Sequence, residues 1–261
     1  MRCIATAMVA LALWTAAPAD AGTFGTRCAQ KFQNNWQLEV LYGNERCQLL
    51  TDQLSQTDTS MFYASMKGDH NGFTMLDGLP GASGVDSVDL FYVNTHGAAF
   101  KALYVESDDA SLAFFEQDAF TQSSSWRFGN NNHKVKVFSQ YACETMRLDK
   151  HSWNRWNKAF KGGLYLATGS HDKLYESVTT NETGEDYAEN LQDGLSVKWA
   201  WFDGNADWLA DNAVAVYASS SGNVGACVNR LNLMTWQNMN LFGRLLDGNM
   251  NRLCASWIDS Y

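Results

Sequence analysis

Proline is scarce in this chain, and its scarcity excludes a linker-rich architecture. Only two prolines occur in 261 residues, and Pro18 lies in an N-terminal segment that we expect to be removed. A string of modules joined by extended linkers would contain many more. Hydrophobic residues make up 46% of the chain. We find no internal repeat and no low-complexity tract, so the composition indicates a folded globular domain.

Positive charge is also in short supply. The chain carries 19 Lys and Arg against 28 Asp and Glu, which gives a formal net charge of −9. Nucleic acids and anionic membrane surfaces both attract a basic face. The acidic balance therefore excludes both as expected partners, and it says little about the chemistry of a substrate.

Long hydrophobic runs are confined to the N-terminus. A short basic start is followed by the apolar run 4–17, and small residues at Ala19 and Ala21 offer cleavage positions. This pattern predicts a secretory signal peptide over residues 1–21, because the run is too short for a membrane span. Residues 22–261 are then expected to form one α/β domain that is secreted or periplasmic, with no membrane anchor.

The cysteines predict two disulfides and one thiol. Cys3 belongs to the signal segment, which leaves an odd number of cysteines for an oxidising compartment. The simplest pairing joins near neighbours: Cys28–Cys47 and Cys227–Cys254. Sequence alone does not fix this connectivity. Cys143 remains as the thiol, and it is either a buried inert cysteine or a nucleophile.

Two apolar segments end on residues that can perform acyl-transfer chemistry. The segment VDLFYVN precedes Thr95-His96-Gly97, and the segment VKVFSQY precedes Ala142-Cys143. Continuous apolar runs of this length are typical of strands buried on both faces. In an open α/β sheet, active sites lie beyond the carboxyl ends of the strands. We therefore expect the imidazole and the thiol to face each other at one sheet edge.

The remaining pattern alternates strands and helices, which predicts a mostly parallel sheet. Residues 111–120 have a helical composition, and residues 212–220 form the last predicted strand. A helix is predicted over residues 144–160, directly after Cys143. The positive end of that helix would favour a thiolate at Cys143.

The candidate chemistry is that of a cysteine nucleophile with a histidine base. The thiolate is the reactive form of cysteine, and the imidazole of His96 is suited to accept its proton near neutral pH. The backbone N–H groups of Gly97 and Cys143 could bind the oxyanion of a tetrahedral intermediate. No third orienting residue can be named.

This arrangement resembles the caspase-like (clan CD) cysteine peptidases, in which an apolar strand ends in His-Gly and a later one ends in Ala-Cys. The segments FKGGLYLATGSHD and GEDYAENLQDGLSVKWAW are similar to exported bacterial members of that group, and the resemblance covers Asp86 to Asn212. It implies an open, mostly parallel sheet flanked by helices. It also implies Cys143 as nucleophile, His96 as base and Gly97 as the oxyanion-hole glycine.

The resemblance further implies a monomeric endopeptidase with a peptide or protein substrate and no cofactor. Glu144 departs from the group, which often has a small or basic residue after the cysteine. Two alternatives remain: a catalytically silent relative that binds a peptide in the same cleft, or another acyl transferase or amidase that uses the same dyad.

Other polar clusters carry weaker signals. Ser170-His171-Asp172 follows a predicted strand and could line the cleft together with Glu144, although an ordinary loop is the favoured interpretation. The acidic run 203–207 hints at calcium but lacks the ligand count of a recognised calcium loop. We therefore predict no metal site.

Overall fold

A computed structural model of the chain describes the segments in which the predicted strands and helices lie. The described residues are 22–28, 42–57, 61–65, 88–98, 101–104, 112–114, 128, 135–150, 152–160, 163–175, 180–205, 212–220, 222, 224–242 and 251–259. The predicted signal segment, residues 1–21, lies outside them. The last two positions of the acidic run 203–207 also lie outside them.

These residues form strands and helices that alternate along most of the chain. The strands are β1 (Phe24–Cys28), β2 (Met61–Ser65), β3 (Leu90–Asn94), β4 (His96–Ala98), β5 (Lys101–Tyr104), β6 (Leu112–Phe114), β7 (Val137–Tyr141), β8 (Leu166–Ser170), β9 (Val214–Ser220) and β10 (Arg252–Ile258). The helices are α1 (Gly43–Thr57), α2 (Ser152–Phe160), α3 (Thr183–Gln192), α4 (Val197–Asn205) and α5 (Val224–Leu233).

The main sheet is open and mostly parallel. Its seven described strands lie in the order β10-β9-β8-β7-β3-β1-β2. The neighbouring pairs β2–β1, β1–β3, β3–β7 and β7–β8 are parallel, whereas β9 runs antiparallel to β8 and β10 runs antiparallel to β9. A small antiparallel sheet, β4-β5-β6, stands beside it. This architecture confirms the predicted α/β class, an open sheet flanked by helices.

Helices cover both faces of the sheet, which explains why the central strands are continuously apolar. Every residue of β3, β7, β8 and β9 is buried. One face packs against Leu50 of α1, Tyr187 of α3 and Trp201 of α4. The other face packs against Trp156 and Phe160 of α2. The sheet is therefore a rigid layer from which the loops at its edges project.

Two sequence-based predictions that concern the strands are wrong. Residues 112–114, predicted as helix, form strand β6, because Leu112 and Phe114 pair with β5 in an antiparallel hairpin. The predicted last strand, β9, is followed by β10, whose residues alternate in exposure along the sheet edge. Pairing with a neighbouring strand outweighs local propensity in both segments.

The structure contains both predicted disulfides. Cys28 at the end of β1 joins Cys47 in α1, with a Cα–Cα distance of 6.1 Å. Cys227 in α5 joins Cys254 in β10, with a Cα–Cα distance of 6.0 Å. Cys143 lies outside both bridges. The two bridges fit an oxidising compartment. Along the described parts of the chain, no helix has the length and apolar character to cross a bilayer.

Helix α3 carries an acidic cluster that makes stability depend on pH. Partial burial, followed by the negative charges of Glu182, Glu185, Glu189 and Asp203, raises the pKa of Asp186 to about 6. An unfolded Asp has a pKa of about 3.9. The folded state therefore holds this proton more tightly, so the group adds stability as the pH falls from about 6 towards 4 and costs stability above 6.

We expect Asp186→Asn to stabilise the protein at about pH 7.5 and to give a smaller gain at about pH 4.5. Much of the partly buried Asp186 side chain remains in contact with solvent, and screening keeps the effect small. Substitutions at such surface positions change stability by about 0.5 kcal/mol, or roughly 1–2 °C in Tm for a chain of this size. Thermal unfolding of wild type and variant at the two pH values measures it. An equal gain at both values would contradict the assigned pKa.

Candidate active site

The parallel pairing of β3 with β7 brings the two predicted site segments to one sheet edge. Asn94 at the end of β3 is in register with Tyr141 at the end of β7. The Thr95 N–H then donates to the Tyr141 carbonyl at 3.2 Å, so the pairing extends one residue past the strand ends. His96 lies two residues after the end of β3, and Cys143 lies two residues after the end of β7. Both lie at the carboxyl edge of the sheet, where the sequence predicts them.

Gly97 packs against the backbone on either side of Cys143. A Cβ atom built on Gly97 would overlap the Cys143 carbonyl oxygen, and it would lie 2.8 Å from the Cys143 nitrogen and 3.0 Å from the Ala142 carbonyl carbon. Real Cβ atoms essentially never make such contacts, so this position requires glycine. The close approach brings the His-Gly segment into direct backbone contact with the Ala-Cys segment. His96 and Cys143 are both partly buried.

The segment after Cys143 is a tight turn, and the predicted helix over residues 144–160 is confined to α2, which begins at Ser152. Glu144 has φ +53°, a left-handed conformation that is uncommon for residues other than glycine. The Glu144 N–H donates to the Asp172 carbonyl at 2.9 Å, and the Met146 N–H donates to the Ser170 carbonyl at 2.8 Å. These bonds replace helical ones, so the helix predicted to begin directly after Cys143 is not formed there and supplies no dipole to the thiol, and that part of the prediction is wrong.

The segment that follows β8 contacts the sulfur of Cys143. The Leu174 N–H donates to Sγ at 3.3 Å, and the thiol lies 3.7 Å from the Leu174 carbonyl oxygen, which it can use as an acceptor. A thiolate keeps only the first of these bonds, because it has no proton to donate. A fixed backbone N–H favours the charged form of the group that it contacts, whereas a carbonyl acceptor favours the neutral thiol. The N–H is the nearer of the two groups.

Ser170, His171 and Asp172 lie at this edge, but their side chains serve the loop and the neighbouring strand. The Ser170 hydroxyl, fully buried, lies within hydrogen-bond distance of the carbonyls of Asp172 and Ala213, and its one proton serves these two acceptors. The His171 Nε2 lies 3.2 Å from the Ile258 carbonyl and 3.3 Å from an Asp259 oxygen at the end of β10. The Asp172 side chain is exposed. The loop interpretation favoured from the sequence therefore accounts for their contacts.

Sequence reasoning missed a polar network beneath the site. The Asn212 side chain, 2% exposed, accepts the Tyr175 N–H at 2.9 Å and donates to the Tyr141 hydroxyl at 3.3 Å. The guanidinium carbon of buried Arg46 lies 4.2 Å from the centre of the Tyr141 ring. No motif marks these residues. The sequence predicts Asn212 only as the start of a strand, and nothing in it shows that the side chain reaches another loop.

The described part of the run 203–207, which hinted at calcium, takes part in helix packing. Asp203 accepts a hydrogen bond from Asn190 at 3.1 Å, and Asn205 donates to the Trp201 carbonyl at 3.0 Å. Among the described residues, no group of three or more His, Cys, Asp or Glu side chains could hold a metal ion. Glu144, predicted to line the cleft, pairs with exposed Arg147 at 3.3 Å.

Fold and site together define an α/β protein with a cysteine and a histidine at the carboxyl edge of a parallel sheet. The chain belongs to the family described as "Domain of unknown function (DUF6345)", whose profile matches residues 42–240. No curated protein shows a significant match.

Solved structures that match include the Drosophila initiator caspase Dronc, at 13% sequence identity and a TM-score of 0.36. The match covers 68% of this chain and 65% of the caspase chain, so this protein spans just under two thirds of that chain's length. A similarity this distant does not establish a shared activity.

Proposed function

We propose that this protein is a secreted cysteine endopeptidase that uses Cys143 as nucleophile and His96 as base. The observation that carries the proposal is the packing of Gly97 against the Cys143 backbone, which brings the two segments together at one sheet edge. Both side chains are partly exposed, as a group that meets a substrate must be. The resemblance of the strand–His-Gly and strand–Ala-Cys pattern to caspase-like peptidases adds to this support.

The chemistry follows from the two residues. His96 takes the proton of the Cys143 thiol, and the thiolate sulfur attacks the carbonyl carbon of the scissile peptide bond. The resulting oxyanion would be bound by the N–H groups of Gly97 and Cys143. His96 then protonates the leaving amine as the C–N bond breaks, and a thioester remains. A water molecule, deprotonated by His96, hydrolyses the thioester and restores the thiol.

One observation favours the second candidate, a catalytically silent relative that binds a peptide in the same cleft. The chain after Cys143 turns through the left-handed Glu144 instead of entering a helix. The thiol therefore lacks the helix dipole that often stabilises a reactive thiolate. The Leu174 N–H donates to the sulfur of Cys143 instead, at 3.3 Å. The two candidates therefore differ in the reactivity of the Cys143 thiol.

Labelling with peptidyl electrophiles distinguishes an active endopeptidase from a catalytically silent relative. A library of peptidyl acyloxymethyl ketones should alkylate Cys143 stoichiometrically, and the modified peptide is located by mass spectrometry. The rate should depend strongly on the peptide portion, because recognition precedes attack. The matched control is Cys143→Ala, which should remain unlabelled. Labelling that ignores the peptide sequence and proceeds no faster than with iodoacetamide would favour the silent relative.

A further inference from the structure

A buried asparagine connects the two segments that meet at the sulfur of Cys143. Leu174, whose N–H donates to Sγ at 3.3 Å, belongs to the loop after β8. The next residue, Tyr175, donates its N–H to the Asn212 Oδ1 at 2.9 Å. The Asn212 Nδ2 donates in turn to the hydroxyl of Tyr141, which lies two residues before Cys143, at 3.3 Å. One amide thus joins the loop that supplies the donor to the strand that supplies the thiol.

The orientation of this amide is set by its partners. A backbone N–H can only donate, so the group that faces Tyr175 must be the oxygen of Asn212. The NH₂ group then faces the Tyr141 hydroxyl, which can accept. Asn212 is 2% exposed, so water competes little for either bond. Buried hydrogen bonds of this kind hold their groups in one arrangement, because breaking them leaves a polar atom unsatisfied.

We propose that Asn212 is a positioning residue: its amide holds the Leu174 N–H against the sulfur of Cys143 and so stabilises the thiolate. The inference deepens the proposed function, since it concerns the same thiol. A backbone donor and a buried amide then take the role that the sequence predicts for a helix dipole. Asn212 itself does not touch Sγ, and it acts through the position of Leu174.

The test is the pH dependence of alkylation by iodoacetamide, which needs no peptide recognition. The thiolate sulfur displaces iodide and forms a carbamidomethyl thioether, so the rate follows the thiolate fraction. Rates at Cys143 are measured by mass spectrometry between about pH 6 and pH 10. An ordinary cysteine would show a midpoint near pH 8.5, and we expect wild type to lie below it.

Asn212→Leu removes both hydrogen bonds while keeping a similar volume. We expect the alkylation midpoint to rise by about one pH unit, because one hydrogen bond to a charged group accounts for a shift of that order. Tyr141→Phe breaks only the Asn212–Tyr141 bond and keeps the ring beside Arg46. It should shift the midpoint in the same direction by less. This milder variant keeps the test decisive if Asn212→Leu does not fold.

The matched control is Asn205→Leu, which removes another buried asparagine. Asn205 is 1% exposed, and its amide donates to the Trp201 carbonyl within α4. We expect it to lower thermal stability without moving the midpoint. In a His96→Ala background, the shift caused by Asn212→Leu should persist, because the amide acts on the sulfur independently of the imidazole.

Three results would overturn the inference: a wild-type midpoint at or above that of an ordinary cysteine, equal midpoints in wild type and the Asn212 and Tyr141 variants, or an equal shift in the Asn205 control. Failure of the proposed function has a different signature. In that case peptidyl electrophiles give no selective labelling, yet the iodoacetamide midpoint of wild type is still low and still rises in Asn212→Leu.

Discussion

Cys143→Ala and His96→Ala should each abolish hydrolysis of a suitable peptide, with rates reduced by about four orders of magnitude or more. The chemistry has no substitute for the thiolate, and the ring of His171 at the same edge is engaged by the Ile258 carbonyl. A peptide substrate chosen from the electrophile library serves as the assay. The double variant should be no worse than either single one, because residues that act as a unit give strongly non-additive effects.

Both variants should retain nearly wild-type thermal stability. Cys143 and His96 are only partly buried, so truncation creates little cavity. His171→Ala is the matched histidine control: its ring contacts the Ile258 carbonyl, so activity should persist. A large loss of stability in Cys143→Ala would instead indicate a core thiol. Full activity in His96→Ala would remove that residue from the mechanism.

Gly97→Ala should destroy the geometry of the site. The added methyl group would overlap the backbone of Cys143, which cannot move as a flexible side chain can. Overpacking of this kind costs about 1–3 kcal/mol, and each kcal/mol corresponds to roughly 2–4 °C in Tm for a chain of this size. We expect a fall of several degrees in Tm and loss of selective labelling at Cys143.

Gly222→Ala is the control for this experiment. A Cβ on Gly222 would lie 3.5 Å from the Ala226 Cβ and 3.8 Å from the Ser220 Oγ, which are ordinary contacts. Stability and labelling should therefore match wild type. If Gly97→Ala also behaved as wild type, the His-Gly segment would not pack against Cys143, and the proposed dyad would lose its principal support.

The features that could be predicted from the sequence are those with a local signal. Buried parallel strands are apolar along their whole length, so β3 and β7 could be recognised, and the residues after them placed at an edge. The cysteine spacing predicted Cys28–Cys47 and Cys227–Cys254, both present in the structure. An odd number of cysteines in an oxidising compartment leaves one thiol unpaired by the simplest pairing, and that thiol is Cys143.

The failures share one physical cause, which is that long-range partners decided the conformation. Residues 144–151 have the composition of a helix, but the Glu144 N–H bonds to the loop after β8 and the Met146 N–H bonds to the last residue of β8. Residues 112–114 are good helix formers that became a strand through pairing with β5. Propensity is a weak prior where hydrogen-bonding partners lie elsewhere in the chain.

The sequence by itself predicted the class of fold, the simplest pairing of the cysteines and the two residues that follow the strand ends, because each depends on residue type and spacing. Only the tertiary structure decided what surrounds the sulfur. The Leu174 N–H is a backbone group that any residue except proline would supply, and Asn212, just before β9, contacts the next residue, Tyr175. Groups without a residue-specific signature become visible only when folding brings them together.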